Sequence, residues 1–288
     1  MPDVDGSVDV EMPPGTEVIF TIGVAFEAWD GLPMTKMAMT PEFPEEARRL
    51  GKTDWTSVSW YEYGATTGLP RLARVFDELD VKVSLSTSAR AVELYPDLAN
   101  QLVAAGHELV GHGYSQAQRM FMLDEKEDLA EVQRCTEILE RMTGVRPVGW
   151  SSQGGQRGDH TVASLLREGY RYCKDFRHAD EPVVVGRDGD RKLIAMPRMD
   201  EVNDAVLFRR FGAPPSVYVE IFKRGFDQVR REVSDQPRIV SATLHPTYYG
   251  RPFGISALVE CVEYARSHPN VWICRRRDAA EYFQRVLD

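Results

Sequence analysis

Only four cysteines occur in the 288 residues, Cys135, Cys173, Cys261 and Cys274, and none forms a C-x-x-C pair. Two lie in apolar contexts, so buried free thiols and a reducing compartment are expected. Long apolar runs are absent as well: nothing approaches the ~20 residues of a membrane span. Residues 1–16 are acidic, contain Pro and Gly, and lack the basic and apolar regions of a signal peptide. A cytoplasmic protein with no membrane partner is the expectation. Positive charge is outweighed: 35 Lys and Arg stand against 44 Asp and Glu. The net charge is −9, and no basic stretch interleaved with aromatics stands out, which argues against a nucleic-acid partner. Arg275-Arg276-Arg277 is followed at once by Asp278 and reads as a strand end or an internal ion pair. No linker-like shift of composition and no fixed-period repeat divides the chain. It reads as a flexible segment, residues 1–16, followed by one domain, residues 17–288.

What is present suffices for a sizeable core: 43% of the residues are hydrophobic and 27% charged. The β-branched, apolar run Val18–Phe26 predicts a buried strand. Residues 27–56 then form a long irregular stretch with Pro, Gly, Met and Trp, holding a short helical piece at 44–50. A connection that long usually serves as a lid or a substrate wall. A helix over 68–79 puts Leu69, Leu72, Val75, Phe76 and Leu79 on one face. Further strands are expected at 81–86, 109–111, 148–150, 170–174, 192–196, 238–244 and 271–274. Helices are expected at 89–105, 124–143, 161–168, 216–232 and 255–267, with a last helix closing the chain. Strand and helix alternate, which predicts a parallel sheet with helices outside, most simply a barrel.

In a parallel α/β protein the chemistry sits at the carboxyl ends of the strands. Three such ends stand out. The first is the loop after strand one, with Glu27 and Asp30. The second is His112, at the end of the segment Gly106-His107-Glu108-Leu109-Val110-Gly111-His112. The third is His245, followed by Pro246, Arg251 and Pro252. A carboxylate and two histidines converging at one face suit hydrolysis of an acyl bond: the carboxylate takes a proton from water and a histidine returns one to the leaving group. One feature is missing. Four residues after His112, where a second histidine would complete a metal-binding pair, stands Gln116. Singly, each residue also has a bland reading: a lone histidine near a strand end is often structural, His245-Pro246 can cap a strand, and Glu27 can be a loop acid.

The combination resembles the polysaccharide deacetylase superfamily, also called the NodB-homology or carbohydrate esterase family 4 fold. Within it, the chain is most similar to the branch of uric-acid-pathway allantoinases and cyclic imide hydrolases. The segments that carry the resemblance are Glu62-Tyr63-Gly64 with Gly68, Gly106-His107-Glu108 leading to Gly111-His112-Gly113, and Thr143-Gly144-Val145-Arg146-Pro147-Val148-Gly149-Trp150. Asn203-Asp204, Phe226-Asp227 and Leu244-His245-Pro246 with Gly250-Arg251-Pro252 complete the set. Their order and spacing together are specific. The resemblance implies an α/β fold, a distorted (β/α) barrel of seven strands, with its site at the carboxyl strand ends. It also implies a cytoplasmic homo-oligomer, often a tetramer, that acts on a small-molecule substrate.

The chain departs from the superfamily where metal is bound. Metal-dependent members carry an acidic pair at the end of strand one and a His-x-x-x-His pair in the loop that begins at His112. Here the acidic pair falls on Glu27 and Ala28 in one register, and on Gly23 and Ala25 in another. In either register the metal-binding Asp is gone, and of three usual ligands only His112 remains. A catalytic zinc needs three protein ligands and an open position. No metal and no other cofactor is therefore expected, although Glu27, Asp30, Asp175 or His178 are the groups a rescued site would recruit around His112. The expected reaction is hydrolysis of an amide or imide C–N bond in a small, cyclic substrate. Glu27 is the expected general base and His245 the general acid. His112, Arg251 or backbone N–H groups would stabilise the oxyanion. Arg146, by its family position, would orient the acid. Tyr63 and Trp150 are expected as substrate walls, and Asp175 and Asn203 as contacts to a ring amide. Two other readings stay open: a metal-dependent sugar N- or O-deacetylase, and a non-catalytic pseudoenzyme that binds a small molecule.

Overall fold

The computed structural model describes residues 11–29, 46 and 49–288. Asp30, residues 1–10 and most of the helical piece expected at 44–50 lie outside the described residues. Strand β1 is Val18–Phe26, buried at all nine positions. It pairs in parallel with β8 (Arg238–Leu244) along Val18 to Val24. It also pairs with β9 (Val271–Cys274) over Val18 to Thr21 and with β2 (Ser84–Thr87) over Gly23 to Phe26. Beyond β2 come β3 (Glu108–Gly111), β4 (Gly149–Trp150), β5 (Tyr172–Cys173), β7 (Arg191–Ala195) and β6 (Val183–Asp188). Every pairing is parallel except β6 with β7. The described strands thus form one nine-stranded sheet, a distorted, incompletely closed (β/α) barrel. The family resemblance implied a barrel of seven strands. The sheet is larger because β6 returns as an antiparallel partner of β7, and because β9 shares β1 with β2.

Helices fill the connections. Those used below are α1 (Trp55–Tyr63), α2 (Leu69–Glu78), α3 (Ala89–Leu94), α4 (Pro96–Ala104), α5 (Glu125–Thr143) and α6 (Thr161–Arg167). They are followed by α7 (Asp204–Phe211), α8 (Pro215–Arg231), α9 (Pro252–Arg266) and α10 (Arg276–Val286). Helix α5 shows why its ends were legible. Asp124 accepts from the Glu127 N–H, Glu127 returns the contact to the Asp124 N–H, and Gly144 leaves the helix at φ 74°. That is a capping box at one end and a left-handed glycine at the other. The predicted helix over 89–105 is two helices, because Pro96 starts a new one. Helix α1 was not anticipated. No helix among the described residues is long and apolar enough to cross a membrane.

Side-chain alternation along the strands decides what each face holds. Val18, Phe20, Ile22 and Val24 pack into the large outer core with α2, α5, α8 and α9. Ile19, Val110, Tyr172, Ile194, Ile239 and Trp272 lie on the other face, covered by Ala279, Ala280 and Phe283 of α10. Ile19, Ile239 and Trp272 are each the second residue of their strand, so α10 closes this inner face toward the amino ends. Continuing the same parity toward the carboxyl ends reaches Glu27 after β1, His112 after β3 and His245 after β8. The strand period that buries the plug therefore also presents the three candidate residues on one face.

The loop after β8 docks tightly on α1 and α2. These helices are joined by a single π-turn, Gly64–Gly68, the kind of irregularity often found near functional sites. A side chain on Gly68 would stand 2.2 Å from the Pro246 carbonyl oxygen, and one on Gly250 would stand 2.3 Å from the same atom. Only glycine permits this approach at either position. The residue after His245 is thereby held between two backbones.

Candidate active site

Glu27 and His112 meet at the carboxyl ends of β1 and β3. His112 Nε2 stands 3.2 Å from Glu27 Oε1. On its other side, His112 Nδ1 contacts the Ser151 carbonyl oxygen. A carbonyl only accepts, so Nδ1 carries a proton. Nε2 is left facing the Glu27 carboxyl. Burial pushes the Glu27 carboxyl up. The hydrogen bond from His112 and the positive charges of His245, His112 and Arg119 outweigh it, and Glu27 ends below the ordinary glutamate value. It is held as a carboxylate in a largely dry site, which is the state a general base requires.

The Ser151 carbonyl is itself fixed. Asp175 accepts from the Ser152 N–H at 2.8 Å and from the Ser152 hydroxyl at 2.6 Å. Burial raises the Asp175 carboxyl, partly offset by these bonds and by the charges of Arg198 and His112. Asp175 was expected to contact a ring amide, but both its oxygens accept from Ser152, so it acts on the loop that orients His112. Gln116 does similar work on the opposite side: its N–H donates to the Ala28 carbonyl at 2.9 Å. Its buried Nε2 has no partner among the described residues.

His245 belongs to a second pair. Its Nδ1 lies 2.7 Å from Asp204 Oδ1, and its backbone N–H donates to Asp204 Oδ2 at 2.7 Å. Asp204 is fully buried at the first turn of α7. Nδ1–H is donated to the carboxylate, which leaves Nε2 for the reacting side. Burial lowers the His245 pKa, but the Asp204 carboxylate, its hydrogen bond and the Glu27 charge raise it further, and the net shift is upward. His245 therefore favours its protonated form, opposite in sense to Glu27.

Glu27, Trp29, Tyr61 and His245 line one narrow gap. A cavity of ≈ 190 Å³ adjoins it, walled by Glu27, Trp29, Val58, Tyr61, Leu94 and Tyr95. Trp29 and Tyr61 stack with ring centroids 4.3 Å apart. Neither was anticipated as a wall. Tyr63 was, but two residues along a helix turn the side chain by about 200°. Tyr61 of α1 faces the cavity, while the Tyr63 ring lies against the Arg251 guanidinium at 4.0 Å.

Several expected site residues do other work. Arg251 is held between Trp60 and Tyr63, with its carbon 3.9 Å and 4.0 Å from the ring centroids, and its Nε donates to the Thr247 carbonyl. It clamps the loop after His245 to α1. Trp150 faces the outer core, is fully buried, and meets Tyr170 edge-on. The strand parity that turns Ser151 inward turns Trp150 outward. The Asn203 oxygen caps α7, accepting from the Ala205 and Val206 N–H groups. Arg146 lies before β4, at the amino end of the strand and far from the chemistry. It pairs with Glu140 at 2.8 Å and Glu168 at 3.1 Å, with its side chain 41% exposed. Replacing it by Ala is therefore expected to leave turnover unchanged and to cost at most about 1 kcal/mol of stability; steady-state kinetics and a thermal melt check both. His178 is exposed beside the Phe176 ring. The sequence reading missed Asp204 as the partner of His245. Its only signal was its place beside Asn203.

The described residues do not fit a catalytic zinc site. Among the described residues no three His, Cys, Asp or Glu groups are placed to hold an ion. Glu27 and His112 face each other directly, and a neutral amide stands at Gln116. Two ligands fall short of the three such a site requires.

Comparison with known proteins agrees with this architecture. Residues 52–173 match the family model for polysaccharide deacetylase. The crystal structure of a probable polysaccharide deacetylase from Pseudomonas aeruginosa PAO1 superposes with a TM-score of 0.82 at 25% identity, covering 94% of this chain and 92% of that one. The crystal structure of PuuE allantoinase gives 0.80 at 25% identity, over 98% of this chain and 95% of that one. A peptidoglycan deacetylase of Helicobacter pylori is 22% identical over 255 residues, which span 77% of this chain and 86% of the relative. The barrel order, the strand-end site and these likenesses agree on one kinship: residues 52–173 match the polysaccharide deacetylase family model, and the chain as a whole is similar in fold to a probable polysaccharide deacetylase and to PuuE allantoinase.

Proposed function

We propose that the protein is a hydrolase that opens an amide or imide C–N bond in a small cyclic substrate, with side chains in place of a metal ion. One observation carries this reading. Two titratable pairs flank one small gap, and their surroundings drive them to opposite states: Glu27 to the carboxylate and His245 to the imidazolium. Groups pushed apart in this way identify a base and an acid. Glu27 takes a proton from water as its oxygen adds to the substrate carbonyl. His112 holds Glu27 in place, its Nδ1 fixed on the Ser151 carbonyl. As the tetrahedral adduct collapses, the C–N bond breaks and the nitrogen takes the proton from His245 Nε2. Water is thus divided, hydroxyl to carbon and hydrogen to nitrogen, and the proton left on Glu27 returns to His245 through solvent. Asp204 keeps the His245 ring aimed throughout.

Size supports a ring over a polymer. A cavity of ≈ 190 Å³ is below the roughly 300–1,000 Å³ of pockets that take drug-sized ligands. The likeness to PuuE allantoinase points the same way. The test is a panel of cyclic imides, hydantoins and ureides beside N-acetylated sugars, assayed before and after dialysis against a strong chelator, with metal content measured. Ring opening that survives chelation is the expected result. Stoichiometric zinc with chelator-sensitive sugar deacetylation would overturn the reading, and no turnover of any compound would point to a binding protein.

A further inference from the structure

Three guanidinium groups gather around the Gly154-Gly155 turn, on carboxyl-end loops of the face that holds the site, and the local fold makes room for them. The turn that follows Ser151 and Ser152 runs through Gly154 and Gly155, at φ +66° and +65°. A side chain on Gly155 would stand 2.3 Å from Arg198 Nη1 and 3.0 Å from Arg177 Nη2. One on Gly154 would stand 3.2 Å from Arg119 Nη1. Each arginine comes from a carboxyl-end loop: Arg119 after β3, Arg177 after β5 and Arg198 after β7. Three cations so close need a reason in a chain of net charge −9.

A purely structural clamp does not account for them. The one acid bonded within the group, Asp200, accepts from Nε of Arg177 at 2.7 Å and Nε of Arg198 at 2.8 Å. Arg177 Nη1 also donates to the Gly155 carbonyl. The Nη groups of Arg198 have no hydrogen bond among the described residues, although its side chain is only 16% exposed. The Arg119 side chain has no hydrogen bond or ion pair there. Both nevertheless sit within electrostatic reach of the site: Arg119 of Glu27, and Arg198 of His245 and of Asp175 behind His112. Two guanidinium edges are thus left for an outside anion, and that edge matches the two oxygens of a carboxylate.

We propose that Arg119 and Arg198, backed by Arg177, bind a carboxylate carried by the substrate, so that the ring this protein opens is an acidic one. The inference rests on the ring-opening reading above and names the substrate class for that site. Two measurements test it separately. The first compares 5-carboxymethylhydantoin with its uncharged carboxamide. The acid is expected to be preferred by about ten- to hundredfold in kcat/KM, mainly through KM, as for a hydrogen bond to a charged group. Arg119→Gln and Arg198→Gln each reduce that ratio toward one, and Arg198→Lys restores part of it. The second measurement needs no turnover: succinate binding by calorimetry, expected for the native protein and weakened at least about tenfold in either Gln variant. Arg119 is bonded to nothing here, so its Gln variant folds. Equal kcat/KM for acid and amide, with succinate binding absent or indifferent to both arginines, overturns the inference while ring opening stands. Arginine-dependent succinate binding without opening of any ring upholds the anion site and removes the ring-opening reading.

Discussion

Glu27→Gln is expected to lower kcat by about 10³-fold, within the 10²–10⁴-fold range of general acid–base catalysis, and to leave the fold intact. The substitution keeps the shape of the side chain and its contact with His112. The Gln amide can still meet Nε2, now as a donor, so no buried polar group loses its partner. What disappears is the basic oxygen. Stability and activity should therefore separate, which distinguishes a catalytic Glu27 from a structural one. The pH profile sharpens the distinction. Glu27 lies below the ordinary glutamate value of 4.5, and His245 lies above the ordinary histidine value of 6.5. The native kcat/KM should hold a plateau between the two, falling on the acid side as the Glu27 site is protonated and on the alkaline side as His245 is deprotonated. These limbs belong to the coupled site and not to isolated residues. In Glu27→Gln the acid limb vanishes. Retention of more than about a tenth of native kcat would remove Glu27 from the role of base.

Much of this arrangement was legible before any coordinates, for reasons that differ element by element. Strands β1, β8 and β9 were read to the residue, because continuous β-branched, apolar runs have few alternatives. Helix α5 announced its start with Asp124 and Glu127 and its end with Gly144. Strand β6 was invisible: it is half-exposed, antiparallel and interrupted by a register shift near Gly186. Helix α1 was invisible for a related reason. Only Ser57 and Tyr61 are buried along it, so no apolar stripe marks it, and its start depends on Asp54 accepting from Ser57. The site divides along the same line. Glu27, His112 and His245 could be named because strand ends in a parallel barrel share one face. Their partners could not be. The Ser151 carbonyl is 39 residues from His112, and the Asp204 carboxylate is 41 residues from His245; neither separation has a periodicity that reveals it. Arg146 shows the converse. A motif position survived while the residue settled into a surface ion pair at the other end of its strand.

Asp204→Asn should be the most informative change outside the residues that touch substrate, because Asp204 acts only through His245. Three N–H donors converge on its two oxygens: His245 Nδ1–H, the His245 backbone N–H and the Ala205 N–H, all at 2.7 Å. An Asn amide, in either orientation, aims its own N–H groups at one of them. The variant should lose about 1–3 kcal/mol of stability for that unmet pair, measurable by denaturant unfolding. Its kcat should fall by about 10²-fold or more. Destabilisation alone could mimic some of that loss, so the deciding readout is the pH profile. The Asp204 carboxylate is the main group that raises His245. Without it the alkaline limb of kcat/KM should move to lower pH, toward or below 6.5, the ordinary histidine value that folding here lifts. Stability should respond in the same sense. A histidine raised on folding contributes stability that is fully present below its unfolded pKa and lost as pH rises through its folded one. That added stability on the acid side should be present in the native protein and missing in Asp204→Asn. A variant merely weakened in its packing would keep both the native alkaline limb and the native pH dependence of unfolding.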